Sequence, residues 1–219
     1  MMSSTVTRTR IKFCGLTRAD DIASAVSLGV DAVGFVMWPQ SKRSISVEQL
    51  AELAATVPAF VTRVGLFVDQ PASLIERCAP YLDLLQFHGD EPPEACQSYA
   101  MAWMKALRMR DGLDLHQEAD RYHEASALLL DAYRPGVPGG TGETFDWSRI
   151  PANLAKPVIL AGGLTSGNID AAIKHVAPYA VDVSGGIEAS PGEKSAAKMQ
   201  AFVQAVSVAN TSPSSLPNV

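Results

Sequence analysis

The chain has 219 residues, 47% of them hydrophobic and 19% charged, with a formal net charge of −5. That length suits one α/β domain and the apolar share fills a sizeable core, while the charge balance argues against disorder and against a nucleic-acid partner. The three cysteines, Cys14, Cys78 and Cys96, form no CxxC pair, so neither a disulfide framework nor a zinc ribbon is expected.

The first ten residues hold no apolar signal core and no run is long enough to span a bilayer, which points to a reduced, cytoplasmic protein without a membrane partner. Residues 1–9 read as a flexible N-terminus, 10–207 as a single domain, and 208–219 as a Ser/Pro-rich, disordered tail.

Strands and helices alternate along the whole chain. An apolar strand ends at Cys14, and the helix Ala19 to Leu28 follows, stopped by Gly29. Asp31 to Val36 is the second strand, and Ser46 caps a helix that runs to Val57 before Pro58. Phe60 to Val68 is the third strand, with a helix from Pro71 to Ala79. Leu82 to Phe87 and Ala102 to Leu107 are strands four and five, each followed by a helix, at Glu91 to Tyr99 and Asp114 to Glu124. Ala127 to Asp131 is strand six, and only one helical turn, Asp146 to Arg149, comes after it. Pro157 to Ala161 and Ala180 to Val183 complete the strands, with helices at Asn168 to Val176 and Ala196 to Val206.

Continuous apolar strands between helices suit parallel strands covered on both faces. A closed (β/α)8 TIM barrel is the expected fold, and a doubly wound open sheet is the alternative.

In a barrel of this kind the chemistry collects at the C-terminal ends of the strands. Standing there are Cys14, Ser41 and Arg43, Gln86 and His88, Asp131, Gly162 and Gly163, and Ser184, Gly185 and Gly186. Cys14 is a candidate base or nucleophile, although a free Cys is more often a small buried hydrophobe. Asp131 ends a Leu-Leu-Leu run, so it enters the site partly desolvated, which keeps a proton available; the plain alternative is a loop Asp capping an amide. The turns Ala161-Gly-Gly-Leu-Thr165 and Val183-Ser-Gly-Gly-Ile-Glu188 offer backbone N–H groups to a phosphate, where otherwise they only make tight strand exits. Arg43 could clamp a carboxylate with its two-pronged guanidinium, or lie solvated beside Lys42. His88 shares no metal-ligand spacing with His116, His123 or His175, so a structural or substrate-contacting role is expected and no metal. The loop across 132–145 is rich in glycine and proline and reads as a mobile cover for the barrel mouth.

With these motifs assembled, the chain closely resembles the phosphoribosylanthranilate isomerase family of tryptophan biosynthesis. The resemblance runs from about Ile11 to Val206. It rests on Lys12-Phe-Cys-Gly-Leu-Thr17, Pro39-Gln-Ser-Lys-Arg43, Leu85-Gln-Phe-His-Gly89, Leu129-Leu-Asp131, Gly139 to Trp147, Ala161-Gly-Gly-Leu164 and Asp182 to Glu188. The family often has Ser-Ser-Gly-Val-Glu where this chain has Ser-Gly-Gly-Ile-Glu.

The resemblance implies a cofactor-free Amadori rearrangement of N-(5-phosphoribosyl)anthranilate, with a phosphorylated small molecule as the only partner and a monomer or homodimer as the assembly. It implies Asp131 as the acid and Cys14 as the base. Arg43, Gln86, His88 and Asp182 would contact substrate, and Gly162, Gly163, Ser184, Gly185 and Gly186 would hold the phosphate. Asp182 is the second candidate for the acid, or a residue that orients a substrate hydroxyl. A ribulose-phosphate epimerase would bring metal-ligating His and Asp, and indole-glycerol-phosphate synthase would bring several strand-end lysines, whereas Lys12 and Lys105 are isolated. A ligand-binding barrel without turnover is the non-enzyme alternative, and the presence of both Cys14 and Asp131 speaks against it.

Overall fold

The computed structural model describes residues 8–132 and 144–211. Eight parallel strands close into a barrel in sequential order. They are β1 (Arg10–Cys14), β2 (Ala32–Val36), β3 (Thr62–Phe67), β4 (Leu84–Phe87), β5 (Trp103–Arg108), β6 (Leu128–Asp131), β7 (Val158–Leu160) and β8 (Ala180–Val183). Helices α1 (Ala19–Ser27), α2 (Val47–Ala54), α3 (Ala72–Cys78), α4 (Pro93–Gln97), α5 (Leu115–Arg121), α6 (Ile169–Val176) and α7 (Ala196–Thr211) flank it. The open-sheet alternative fails at one seam, where β1 pairs with β8 from Arg10↔Ala180 to Phe13↔Val183.

Side-chain alternation explains how the site is built. Successive residues of a strand point to opposite faces. Phe13, Phe35, Phe67 and Phe87 point outward and are almost fully buried in the main core under the helices. Val64, Met104, Ala106, Leu129, Ile159 and Ala180 point inward and fill the barrel. Lys12 and Cys14 therefore share the inward parity of β1, Asp131 that of Leu129, and Asp182 that of Ala180.

Helix ends follow local chemistry. Ser46 caps α2 through a reciprocal pair with Gln49, its hydroxyl accepting from Gln49 N–H while the Gln49 side chain accepts from Ser46 N–H. The single turn after β6 is a 3-10 turn at Trp147–Arg149, started by Asp146, which accepts from the Ser148 N–H.

The expected chain ends need correction. Thr9 is buried, its N–H donates to Asn210 Oδ1 at 3.0 Å, and α7 continues to Thr211. Residues 8–9 and 208–211 thus belong to the folded body, because this contact ties the two ends together. A short hairpin, β9 (Glu188–Ser190) with β10 (Glu193–Lys194), was absent from the sequence expectation. Strands of three and two residues carry no periodicity to read. The glycine-rich loop expected to cover the mouth falls largely on 133–143, outside the described residues.

Candidate active site

A cavity of about 240 Å³ lies at the C-terminal ends of β6, β7 and β8. Asp131 and Asp182 stand on its wall, and the turns Gly162–Thr165 and Ser184–Gly186 form its floor and rim. The two turns expected to bind phosphate are thus brought together. Gly162 has φ +82°, and a Cβ there would lie 2.4 Å from the Ala132 backbone nitrogen, so only glycine fits. Asn168 ties the first turn from behind: its Nδ2 donates to Gly163 O at 2.9 Å, and its Oδ1 accepts from Thr165 N–H at 2.8 Å.

Next to the cavity, Lys12 Nζ donates to Asp182 Oδ1 at 2.7 Å, with both side chains buried. Lys12 Nζ and Cys14 Sγ also converge on Gly34 of β2: a Cβ there would lie 3.1 Å from the nitrogen and 2.9 Å from the sulfur. A mid-strand glycine often marks such a close approach. Burial pushes the Cys14 thiol up from its ordinary value, against the pull of the Lys12 ammonium. Burial pushes the Lys12 ammonium down, but Asp182 and Cys14 outweigh it, and the net direction is up. Burial thus favours the neutral thiol at Cys14, while the carboxylate of Asp182 favours the charged ammonium at Lys12. Cys78 and Cys96 lie elsewhere, and burial raises them to about 11 and about 12.

Arg43 does make a two-pronged clamp, but its partner is Glu188: Nε and Nη2 donate to Oε1 and Oε2, both at 2.7 Å. The hydrogen bonds that Arg43 donates to Glu188 raise its guanidinium. Burial would raise Glu188, but Arg43 and Lys194 hold it below its ordinary range. Lys194 Nζ is buried, donates to Glu188 Oε1 at 2.9 Å, and also reaches Ser184 O at 3.2 Å. Burial pushes the Lys194 ammonium down, partly offset by Glu188. The β9–β10 hairpin thus holds both the glycine turn at Ser184 and the guanidinium of Arg43. Glu188 escaped the sequence reading as a site residue because its partner Arg43 is 145 positions away, and Lys194 because the short hairpin that turns it back onto Glu188 and Ser184 has no sequence signal.

Gln86 and His88 were expected to touch substrate. Gln86 lies against His88, and His88 in turn faces Asp131; neither Gln86 nor His88 lines this cavity. Asp182 lines it, yet one of its oxygens is committed to Lys12. Among the described residues no group of three or more His, Cys, Asp or Glu is arranged to hold a metal ion, and no helix is long and apolar enough to cross a membrane.

An eight-stranded barrel with a thiol, a carboxyl group and two glycine turns at one mouth defines the class of (β/α)8-barrel enzymes. The family model described as N-(5′-phosphoribosyl)anthranilate isomerase matches residues 11–205, and the chain belongs to that family. It is 65% identical over 206 residues to the N-(5′-phosphoribosyl)anthranilate isomerase of Chromohalobacter salexigens, covering 94% of this chain and 98% of the relative.

Among solved structures it is similar to the phosphoribosylanthranilate isomerase of Thermotoga maritima, with TM-score 0.84, 37% identity, and 91% and 99% of the two chains covered. Monomers generated from that dimeric isomerase have also been solved. A further family structure, in complex with reduced 1-(o-carboxyphenylamino)-1-deoxyribulose 5-phosphate, gives TM-score 0.77 at 35% identity over 91% of this chain and 99% of that one.

Proposed function

We propose that this protein converts N-(5′-phosphoribosyl)anthranilate to 1-(2-carboxyphenylamino)-1-deoxyribulose 5-phosphate in L-tryptophan biosynthesis, by acid–base catalysis without cofactor or metal. The observation that carries this reading is the cavity between the two glycine turns, with Asp131 on its wall and the Cys14–Lys12 pair beside Asp182.

Asp131 delivers a proton to the furanose ring oxygen as the C1′–O bond breaks, leaving a protonated imine. The thiolate of Cys14 then removes the C2′ proton to give an enolamine. Tautomerisation then moves the C2′ hydroxyl proton to C1′, and the proton taken by Cys14 returns through solvent to Asp131, so the reaction is a net isomerisation and the pair is reset. The active form thus needs a proton on Asp131 and none on Cys14. The Lys12 ammonium and the imine cation that forms on ring opening both favour the thiolate, against the burial that keeps the resting group protonated.

Backbone N–H groups at Gly162, Gly163, Ser184, Gly185 and Gly186 hold the phosphate. Arg43 takes the anthranilate carboxylate with the Nη1 side that Glu188 leaves open. The substrate is a small phosphorylated molecule, nucleic acid and membrane are not partners, and the protein works in the cytoplasm as a monomer or homodimer. Purified protein should abolish anthranilate-type fluorescence of freshly made substrate, with unchanged rate in EDTA. A fluorescence trace no faster than the uncatalysed decay would refute the assignment.

A further inference from the structure

Behind Asp131 lies a chain of buried polar groups to which the acid–base scheme gives no task. Gln86 Nε2 stands 3.1 Å from His88 Nδ1, and His88 Nε2 stands 3.2 Å from Asp131 Oδ2. Gln86 is fully buried, and His88 and Asp131 are 7% and 5% exposed. The Gln86 amide N–H donates to Nδ1, so the ring proton sits on Nε2, facing the carboxyl group.

That Nε2 lies close to Oδ2 but out of line, and it is a buried nitrogen without a hydrogen bond. A buried donor without an acceptor is rare and costly, which makes a state that satisfies it worth seeking. The other carboxyl oxygen, Oδ1, already accepts the Ala132 N–H at 2.8 Å. Oδ2 is therefore the oxygen that carries the proton for delivery. While it does so it is a weak acceptor. Once the proton has gone to the ring oxygen, Oδ2 is an anion with an N–H waiting beside it.

We propose that His88 is a positioning residue for proton delivery: its Nε2–H, fixed by Gln86, closes onto Asp131 Oδ2 as the carboxylate forms. This rests on the acid role assigned to Asp131 above. A donor already in place where charge develops favours the transition state over the ground state, and hydrogen bonds to anions are the strong ones.

The test compares kcat and KM for His88→Leu, His88→Gln, Asp131→Asn and the double variant His88→Leu/Asp131→Asn. His88→Leu should lose about 10- to 100-fold in kcat with little change in KM. His88→Gln, whose amide nitrogen reaches the place of Nε2, should regain most of that loss. On the Asp131→Asn background, His88→Leu should cost nothing more, because its partner is gone.

Wild-type kcat in His88→Leu, additive losses in the double variant, or a His88→Gln as poor as the Leu variant would each overturn the proposal while leaving Asp131 as the acid. Wild-type kcat in Asp131→Asn would overturn the acid assignment itself and the proposal with it. The 15N spectrum of the wild-type imidazoles, assigned with the Gln variant, needs no Leu variant to fold. It should show the His88 proton on Nε2, and a proton on Nδ1 would refute the proposal.

Discussion

Lys12 and Asp182 are register partners across the seam that closes the barrel, and their side chains meet at 2.7 Å with almost no exposure to water. The pair serves the fold and the thiol at once. Removing one member leaves the other as a buried unpaired charge, at a cost of about 3–5 kcal/mol. Lys12→Met should therefore unfold at lower urea, and Lys12→Met/Asp182→Leu should recover most of the stability. Turnover should not return in the double variant. Lys12, ahead of Lys194, pulls the Cys14 thiol down against burial, so its loss disfavours the thiolate in either background. Urea titration beside steady-state kinetics separates the two effects.

Cys14→Ser should fold normally and lose at least about 100-fold in kcat, since a hydroxyl is a far poorer base than a thiol near neutral pH. The wild-type thiol carries a pH signature as well. Burial raises it, so in the free protein the thiolate fraction at pH 7 is below that of an exposed thiol of pKa about 8.5. Alkylation of Cys14 should thus be slow at pH 7 and keep accelerating above pH 8.5, and Lys12→Met should shift that rise to still higher pH. A Cys14 that alkylates at pH 7 as fast as free cysteine would contradict the burial argument.

The order of strands and helices, and the strand ends that bear the site, were legible because strand parity and loop position decide them locally. Lys12-Phe-Cys14 and Leu129-Leu-Asp131 each place an inward polar group two residues from another inward position, and alternation alone predicts this. What could not be read depends on partners far along the chain. Arg43 meets Glu188 145 positions away, and nothing near Arg43 announces that its two prongs are taken. His88 faces Asp131 because strands β4 and β6 point into one barrel. The Gly34 gap, which lets Lys12 and Cys14 converge, did have a signal: a glycine in the middle of an apolar strand.

The turn after β8 contains two glycines that should respond differently. A Cβ at Gly186 would lie 2.0 Å from Leu164 O, so Gly186→Ala should disturb both turns and lower stability. Gly185 has room: its Cβ would meet only Arg43 Nη2, at 3.5 Å. Crowding is therefore not the problem there, contrary to what the run of glycines suggests. Gly185→Asp should fold, place a carboxylate beside Arg43 and beside the phosphate, and raise KM by about tenfold or more through repulsion of the anion. Thermal melts and KM for the two variants check this. An unchanged KM in Gly185→Asp would remove that turn from the phosphate site.

The two cavity carboxylates offer the sharpest test of the acid. Asp131 has one oxygen on the Ala132 N–H and the other near His88, while Asp182 has one oxygen on a buried ammonium. An acid must have an oxygen free to pass on a proton, and one oxygen of Asp182 is committed to Lys12 Nζ at 2.7 Å. That arrangement favours Asp131 for delivery and Asp182 for holding Lys12. Asp131→Asn keeps the shape and cannot supply the proton, so kcat should fall by about 10³-fold while the affinity for a reduced product analogue changes little. Asp182→Asn weakens the ion pair, so it should lose stability in urea and keep substantially more turnover than Asp131→Asn. The analogue distinguishes the two roles, because a residue that only positions substrate weakens the complex as well as the rate. A larger kcat loss in Asp182→Asn, with Asp131→Asn still active, would move the acid from β6 to β8.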